Sequence, residues 1–297
     1  MSAGESVPPV AERAPAGSPQ GSLLAIGGGV AFGTLGIFGT LFYDHGGDSL
    51  ALLVLRFCGA SVLLGAIALL QQRGARRAWS DVALGGAAGV GLLGATFCLF
   101  AGYKDASPGL VTLLFYVYPL LVTIGDRVLF SVVLGRRRAW ILVAGVAGIA
   151  LTVGVPDSAT GAAVLWGLAA GVLTTSYILL SRHVMARSLE PFSFVAIEFT
   201  SAAILVVLIT AVVGLDWPPS GALPSALGVI VLGSVVPVLL FYSAIPRIGA
   251  GNAARLATVE PVTAVVLSYV VLGDSLGVSQ INGGAIVVAS VVALAKS

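Results

Sequence analysis

The residues of this chain able to do chemistry are few, and most of them sit inside apolar runs. Glu260 is the clearest. It lies about nine residues into the run 251–272, which at about 1.5 Å per helical residue puts it roughly 13 Å deep, near a bilayer's centre. An ionisable side chain at that depth costs several kcal/mol unless it is paired or faces water, so it is a functional candidate by default. Pro261 follows directly, lacks an amide hydrogen and frees the carbonyl of Ala257 one turn earlier. A kink and an exposed carbonyl beside a carboxylate suit a solute-binding or proton-carrying site. The alternative is a carboxylate that accepts hydrogen bonds from neighbouring helices and fixes the bundle.

Arg56 and Glu198 each stand about two turns from a helix start, some 10 Å inside opposite faces, so a direct pair between them is not expected. Arg56 either attracts an anionic group at the outer mouth or is a structural arginine whose head snorkels to water. Arg255, one turn before Glu260, is placed to pair with Glu198 near the cytoplasmic face, as a gate or a brace. Asp126 and Arg127 read as an interfacial pair. The aromatic candidates are Tyr116 and Tyr118 before the helix-kinking Pro119, Trp166 and Tyr177 on a sixth helix, and Tyr242 on an eighth. Trp79, Trp140 and Trp217 fall at run ends, as interfacial anchors do. Gly85/Gly89 and Gly167/Gly171 have the spacing of close helix contacts.

These residues need elements that hold them in hydrocarbon, and the composition demands the same. Of 297 residues, 58% are apolar and 9% charged, and the mean hydropathy is +1.04. A soluble domain of this size carries about 25% charge, so lipid must replace the missing polar surface. Runs long enough to span, given a need for about 20 residues, fall at 22–43, 50–70, 79–101, 109–129, 139–155, 161–180, 192–213, 222–245, 251–272 and 278–295. The fold class expected is an all-α integral membrane bundle of ten helices.

Positive residues give the orientation, because loops rich in them stay on the cytoplasmic side. With the N-terminus inside, Arg13, Arg73, Arg76, Arg77, Arg136, Arg137, Arg138, Arg182, Arg187, Arg247 and Lys296 collect on one side, against Lys104 on the other. Both termini are then cytoplasmic. Residues 1–21, rich in Pro, Ala, Gly and Ser, read as a disordered tail rather than a signal peptide. Cys58 and Cys98 lie inside apolar runs as packing residues. Arginine greatly outnumbers lysine, a bias of GC-rich bacterial genomes, which points to a bacterial inner membrane.

The chain also resembles itself. Ala106–Ser107–Pro108–Gly109–Leu110 through Tyr118–Pro119 matches Ile248–Gly249–Ala250–Gly251–Asn252 through Glu260–Pro261, fourteen residues each. The same register sets Leu55–Arg56–Phe57 over Ile197–Glu198–Phe199, and, after a four-residue insertion in the first copy, Gly145 over Gly283. Two five-helix repeats, 22–155 and 161–295, result. An odd helix count per copy inverts the second relative to the first, the arrangement of many secondary transporters.

These motifs resemble those of the drug/metabolite transporter superfamily in its ten-helix EamA-type branch: Leu55–Arg56–Phe57, Tyr116–Val117–Tyr118–Pro119–Leu120, Gly249–Ala250–Gly251, Val259–Glu260–Pro261–Val262 and Leu272–Gly273–Asp274. One departure is Leu134–Gly135–Arg136, where the first copy lacks the acidic residue after Leu-Gly. The resemblance implies a cytoplasmic-membrane permease, often an exporter of amino acids, metabolites or drugs. No Walker-type loop accompanies Lys104 or Lys296, so gradients rather than ATP would supply energy. No cofactor or metal is expected, since His45 and His183 lie in separate loops. The basic clusters read as topology signals rather than a nucleic-acid surface. Expected partners are the lipid bilayer, a small-molecule solute, and protons or another solute as coupling partner. A membrane-embedded enzyme and a non-transporting scaffold or sensor are the competing classes.

Overall fold

The computed structural model describes residues 18–71, 79–130, 135–153, 161–185 and 191–295. Among them are fourteen α-helices and no strand. The first seven are α1 (Pro19–Gly33), α2 (Leu35–Asp44), α3 (Ser49–Gln71), α4 (Trp79–Asp105), α5 (Pro108–Phe115), α6 (Tyr118–Phe130) and α7 (Arg136–Val153). The rest are α8 (Gly161–Met185), α9 (Pro191–Val213), α10 (Leu223–Ile230), α11 (Val236–Ile248), α12 (Ala250–Ala257), α13 (Val259–Leu272) and α14 (Val278–Ala295). Among the described residues, eight segments are long and apolar enough to cross a membrane: Pro19–Asp44, Ser49–Leu70, Val82–Asp105, Pro108–Leu129, Gly161–Leu180, Phe192–Val213, Ser220–Ile248 and Asn252–Leu272. The fifth and tenth expected spans are the shorter helices α7 and α14.

Local chemistry sets the helix starts. Ser18 and Ser107 each precede a proline and accept an amide at 3.3 Å, from Gly21 and Leu110, the arrangement in which proline fills a position that needs no donor. Asp48 caps α3, its Oδ1 accepting from Leu50 at 2.6 Å and Ala51 at 2.9 Å.

Four of the expected spans are interrupted, and three of the interruptions accompany a proline. The fourth span divides at Tyr116–Val117 before Pro119, and the ninth at Thr258 before Pro261. In the eighth, Pro237 cannot donate to the helix, and a π-helical turn, Val231–Val235, precedes it. The first span divides without proline. There Gly33 is followed by Thr34, whose hydroxyl bonds back to the Ala31 carbonyl at 2.7 Å and competes with the helix ladder.

Helix α1 packs along α11, α12 and α13; α4 along α8 and α9; α3 against α9; α5 against α8 and α13; α7 against α14. The register that sets Phe57 over Phe199 recurs in these contacts. Those two rings meet, 5.5 Å between centroids, where α3 crosses α9. Gly91 lies against Tyr177 while its register partner Gly233 lies against Leu35, the partner of Tyr177. The largest core cluster is built on Leu52, Phe57, Phe100, Phe194 and Phe199, all buried. Outward-facing positions are apolar as well, including Leu70, Val212 and Val278, as a bilayer requires of its solute. Trp140 and Trp217 are exposed, in keeping with interfacial anchors.

Candidate functional site

The interruptions in the fourth and ninth spans lie side by side. Tyr116, the first residue of the turn in the fourth, is buried and donates its hydroxyl proton to Glu260 Oε2 at 2.9 Å. Glu260 is the second residue of α13, directly after the Thr258 break. A bond between residues 144 apart thus joins the two weakest points of two spanning segments. Tyr118 opens α6 and stacks on Phe115 at 4.9 Å and on Tyr116 at 5.5 Å. Tyr103, Tyr116, Tyr118 and Tyr177 all lie within electrostatic reach of Glu260. The Tyr116 hydroxyl supplies the donor to the carboxylate, with the Phe115 and Tyr118 rings beside it.

Arg56 occupies the other side. It is 4% exposed, with its guanidinium carbon 5.4 Å from the Phe57 ring and 5.7 Å from the Phe100 ring. Its Nε and Nη1 are buried without a hydrogen-bond partner. Tyr103 and Tyr177 are in electrostatic reach of both Arg56 and Glu260. Glu198 is also buried, at 5% exposure, and acts on Tyr177 and Tyr242. Tyr242 meets the Phe192 ring at a tilt, 6.0 Å away, and Phe241 edge-on at 5.8 Å.

Of the residues expected from sequence, Glu260, Tyr116, Tyr118, Tyr177 and Arg56 are therefore brought together, with Glu198 and Tyr242 joined through Tyr177. Trp166 is not among them. It meets Phe97 edge-on at 5.8 Å and lines a separate cavity of about 510 Å³ with Asp48, Ser49, Lys104 and Asp105. The side chains of Arg255 and Asp126 lie outside the described residues, and Arg127 is exposed.

The prolines do break their helices, and the carbonyls they free are closely approached by glycines of other helices. A Cβ on Gly29 would sit 2.6 Å from the Ala257 oxygen, so α1 covers it closely. The same holds one register over, where a Cβ on Gly171 would stand 3.0 Å from the Phe115 oxygen. The expectation of an exposed Ala257 carbonyl beside Glu260 is corrected accordingly: a glycine backbone packs there, which keeps the polar group out of hydrocarbon. Tyr103 was not foreseen. It is 5% exposed, with its hydroxyl 3.5 Å from Thr112 Oγ1. Its place next to Lys104 at a run end makes it look interfacial, and only the continuation of α4 to Asp105 turns it inward.

A family model described as the EamA-like transporter family matches residues 19–154 and, a second time, residues 161–295. An uncharacterized transporter from Archaeoglobus fulgidus is 27% identical over 177 residues, 59% of this chain and 61% of that protein. The aligned region thus spans about three fifths of that relative's length. A solved structure described as the crystal structure of a protein superposes with a TM-score of 0.66, at 20% identity, over 93% of this chain and 98% of the other; at that identity the likeness is one of fold.

Proposed function

The chain belongs to the EamA-like transporter family, and we propose that it moves a small metabolite, amino acid or drug-like solute across the bacterial cytoplasmic membrane by alternating access, outward and without ATP. The observation that carries this reading is the Tyr116–Glu260 bond at the paired helix breaks. A segment interrupted at mid-depth can pivot on either side of the interruption, and a carboxylate at that point exchanges its phenol donor for a solute or a proton at little cost in strain.

Ten spans complete the arrangement. Helices α7 and α14, 18 residues each, reach about 27 Å and fall within the 17–25 residues able to cross. Five spans per half make the second half inverted, with both termini in the cytoplasm. Support comes from contacts that repeat in register: Gly29 on the Ala257 carbonyl and Gly171 on that of Phe115. Each is made between halves, so each half can rock against the other about matched pivots.

Purified protein in lipid vesicles tests this. With labelled amino acids, organic acids and cationic drugs, we expect flux of at least one solute under an imposed proton or solute gradient, unaltered by ATP and lost in Glu260→Gln. Flux that requires ATP, or full flux in Glu260→Gln, rejects the mechanism.

A further inference from the structure

Arg56 is a buried cation whose counter-charge is missing from the described residues. A guanidinium carries five N–H donors and no acceptor, and a buried charge is costly unless it is paired and hydrogen-bonded. Around Arg56 are the faces of Phe57 and Phe100 and the neutral phenols of Tyr103 and Tyr177. None of these supplies a negative charge, and Nε and Nη1 meet no acceptor. Neither Glu260, which takes the Tyr116 hydroxyl, nor Glu198 accepts from the buried Nε and Nη1.

A cavity lies along the same helices, although Arg56, Phe57 and Phe100 are not in its wall. The cavity of about 510 Å³ opens between α3, α4 and α8, with Ser49 and Leu50 on one wall and Phe97 and Ala101 on another. Arg56 lies two turns further along α3, roughly 10 Å deeper, and Phe100 and Tyr103 are on the same stretch of α4.

We propose that Arg56 anchors the anionic group of the transported solute, an oxyanion such as a carboxylate. The inference rests on the transport reading above. It explains why the guanidinium is left with donors unspent: they are satisfied in the loaded state, as charge-assisted bonds to the solute. It also separates two roles within one cluster, with Arg56 holding the anion and Glu260 holding the junction between halves.

Three probes of equal size differing in charge test it: benzoate, benzylamine and benzyl alcohol, each added to the purified full-length protein in detergent while its melting temperature is read. We expect benzoate alone to raise the melting temperature of the wild type. In Arg56→Gln the half-saturating concentration should rise at least tenfold, and Arg56→Lys should fall between. Without ligand, Arg56→Met should melt higher than the wild type, because a buried unpaired charge has been removed; an arginine kept for its contacts with Phe57 and Phe100 makes the same variant melt lower. The proposal is overturned by no benzoate effect, by an equal effect in Arg56→Gln, by stronger stabilisation with benzylamine, or by a lower melting temperature of Arg56→Met. Vesicle flux is scored separately: an Arg56-dependent benzoate effect in a protein that moves no solute leaves the anion site standing and removes the transport reading.

Discussion

At the register positions of Arg56 and Phe100 in the first half, the second half carries Glu198 and Tyr242; at those of Gly33 and Tyr118 it carries Thr175 and Glu260. The frame around these positions is shared. Gly29 and Gly171 approach equivalent carbonyls, and Phe57 meets Phe199 across the middle. Close packing of backbones is therefore repeated, while every polar group at the centre is changed. One half presents Arg56 with Tyr103, Tyr116 and Tyr118, and the other presents two carboxylates with Tyr177 and Tyr242. A solute between them meets different charge on each side, which a strictly symmetric pair of repeats could not provide.

The largest effect expected from this difference is at Glu260 against Tyr118. Glu260→Gln replaces a titratable acceptor of the Tyr116 hydroxyl with one that can never carry charge. A hydrogen bond to a charged group is worth about 1.5–3 kcal/mol, so flux in vesicles should fall roughly ten- to a hundredfold. Tyr118→Phe keeps the ring stacked on Phe115 and Tyr116 and should change flux by less than about threefold, since no charged bond is lost. Equal losses in the two variants would mean that the halves are chemically equivalent after all.

The shared frame makes the opposite demand. Gly29→Val and Gly171→Val should behave alike, because each places side-chain atoms against a carbonyl that proline has freed. Overpacking of this kind costs about 1–3 kcal/mol, which a fall in melting temperature of both purified variants would show. A loss confined to one of them would show that only that half is closely packed there.

How much of this could be read from residues alone depends on which interactions lie within one segment. Spans, the paired interruptions and the register are local or repetitive, so hydropathy, proline and self-similarity reveal them. The Thr34 break needs no proline and arises from a hydroxyl competing with the ladder at Gly33, a choice that neighbouring segments decide: Thr175 makes the comparable bond to Gly171 at 2.8 Å, yet α8 runs on unbroken. The close approach of Gly29 to the Ala257 carbonyl depends on α1, far away in the chain, and could not be seen from the Glu260–Pro261 pair. Trp166 looked central by its position in the sixth span but turns toward Phe97, since periodicity gives a face only once the partner helix is known. Arg56 was legible as a buried charge, though not as one whose donors lack a partner.

The smallest contrast is at the ends of the fourth and ninth spans, where the motif departs from symmetry. Gly273 ends α13 in the left-handed region, φ 72°, ψ 13°, and its neighbour Asp274 accepts from Ser268 Oγ at 2.6 Å. The corresponding Gly135 is followed by Arg136 and has no positive φ. Space is no obstacle at either residue, because a Cβ at each meets nothing within 4 Å. Any difference between Gly273→Ala and Gly135→Ala must then come from backbone conformation. An L-residue held left-handed costs about 1 kcal/mol, so Gly273→Ala should lower the melting temperature slightly while Gly135→Ala leaves it unchanged or raises it a little. Were both unchanged, the glycine termination of α13 would have no energetic part in setting where that helix stops, and the Ser268–Asp274 bond alone would hold the end. Asp274→Asn, which keeps the shape and weakens that bond, would then carry the larger effect.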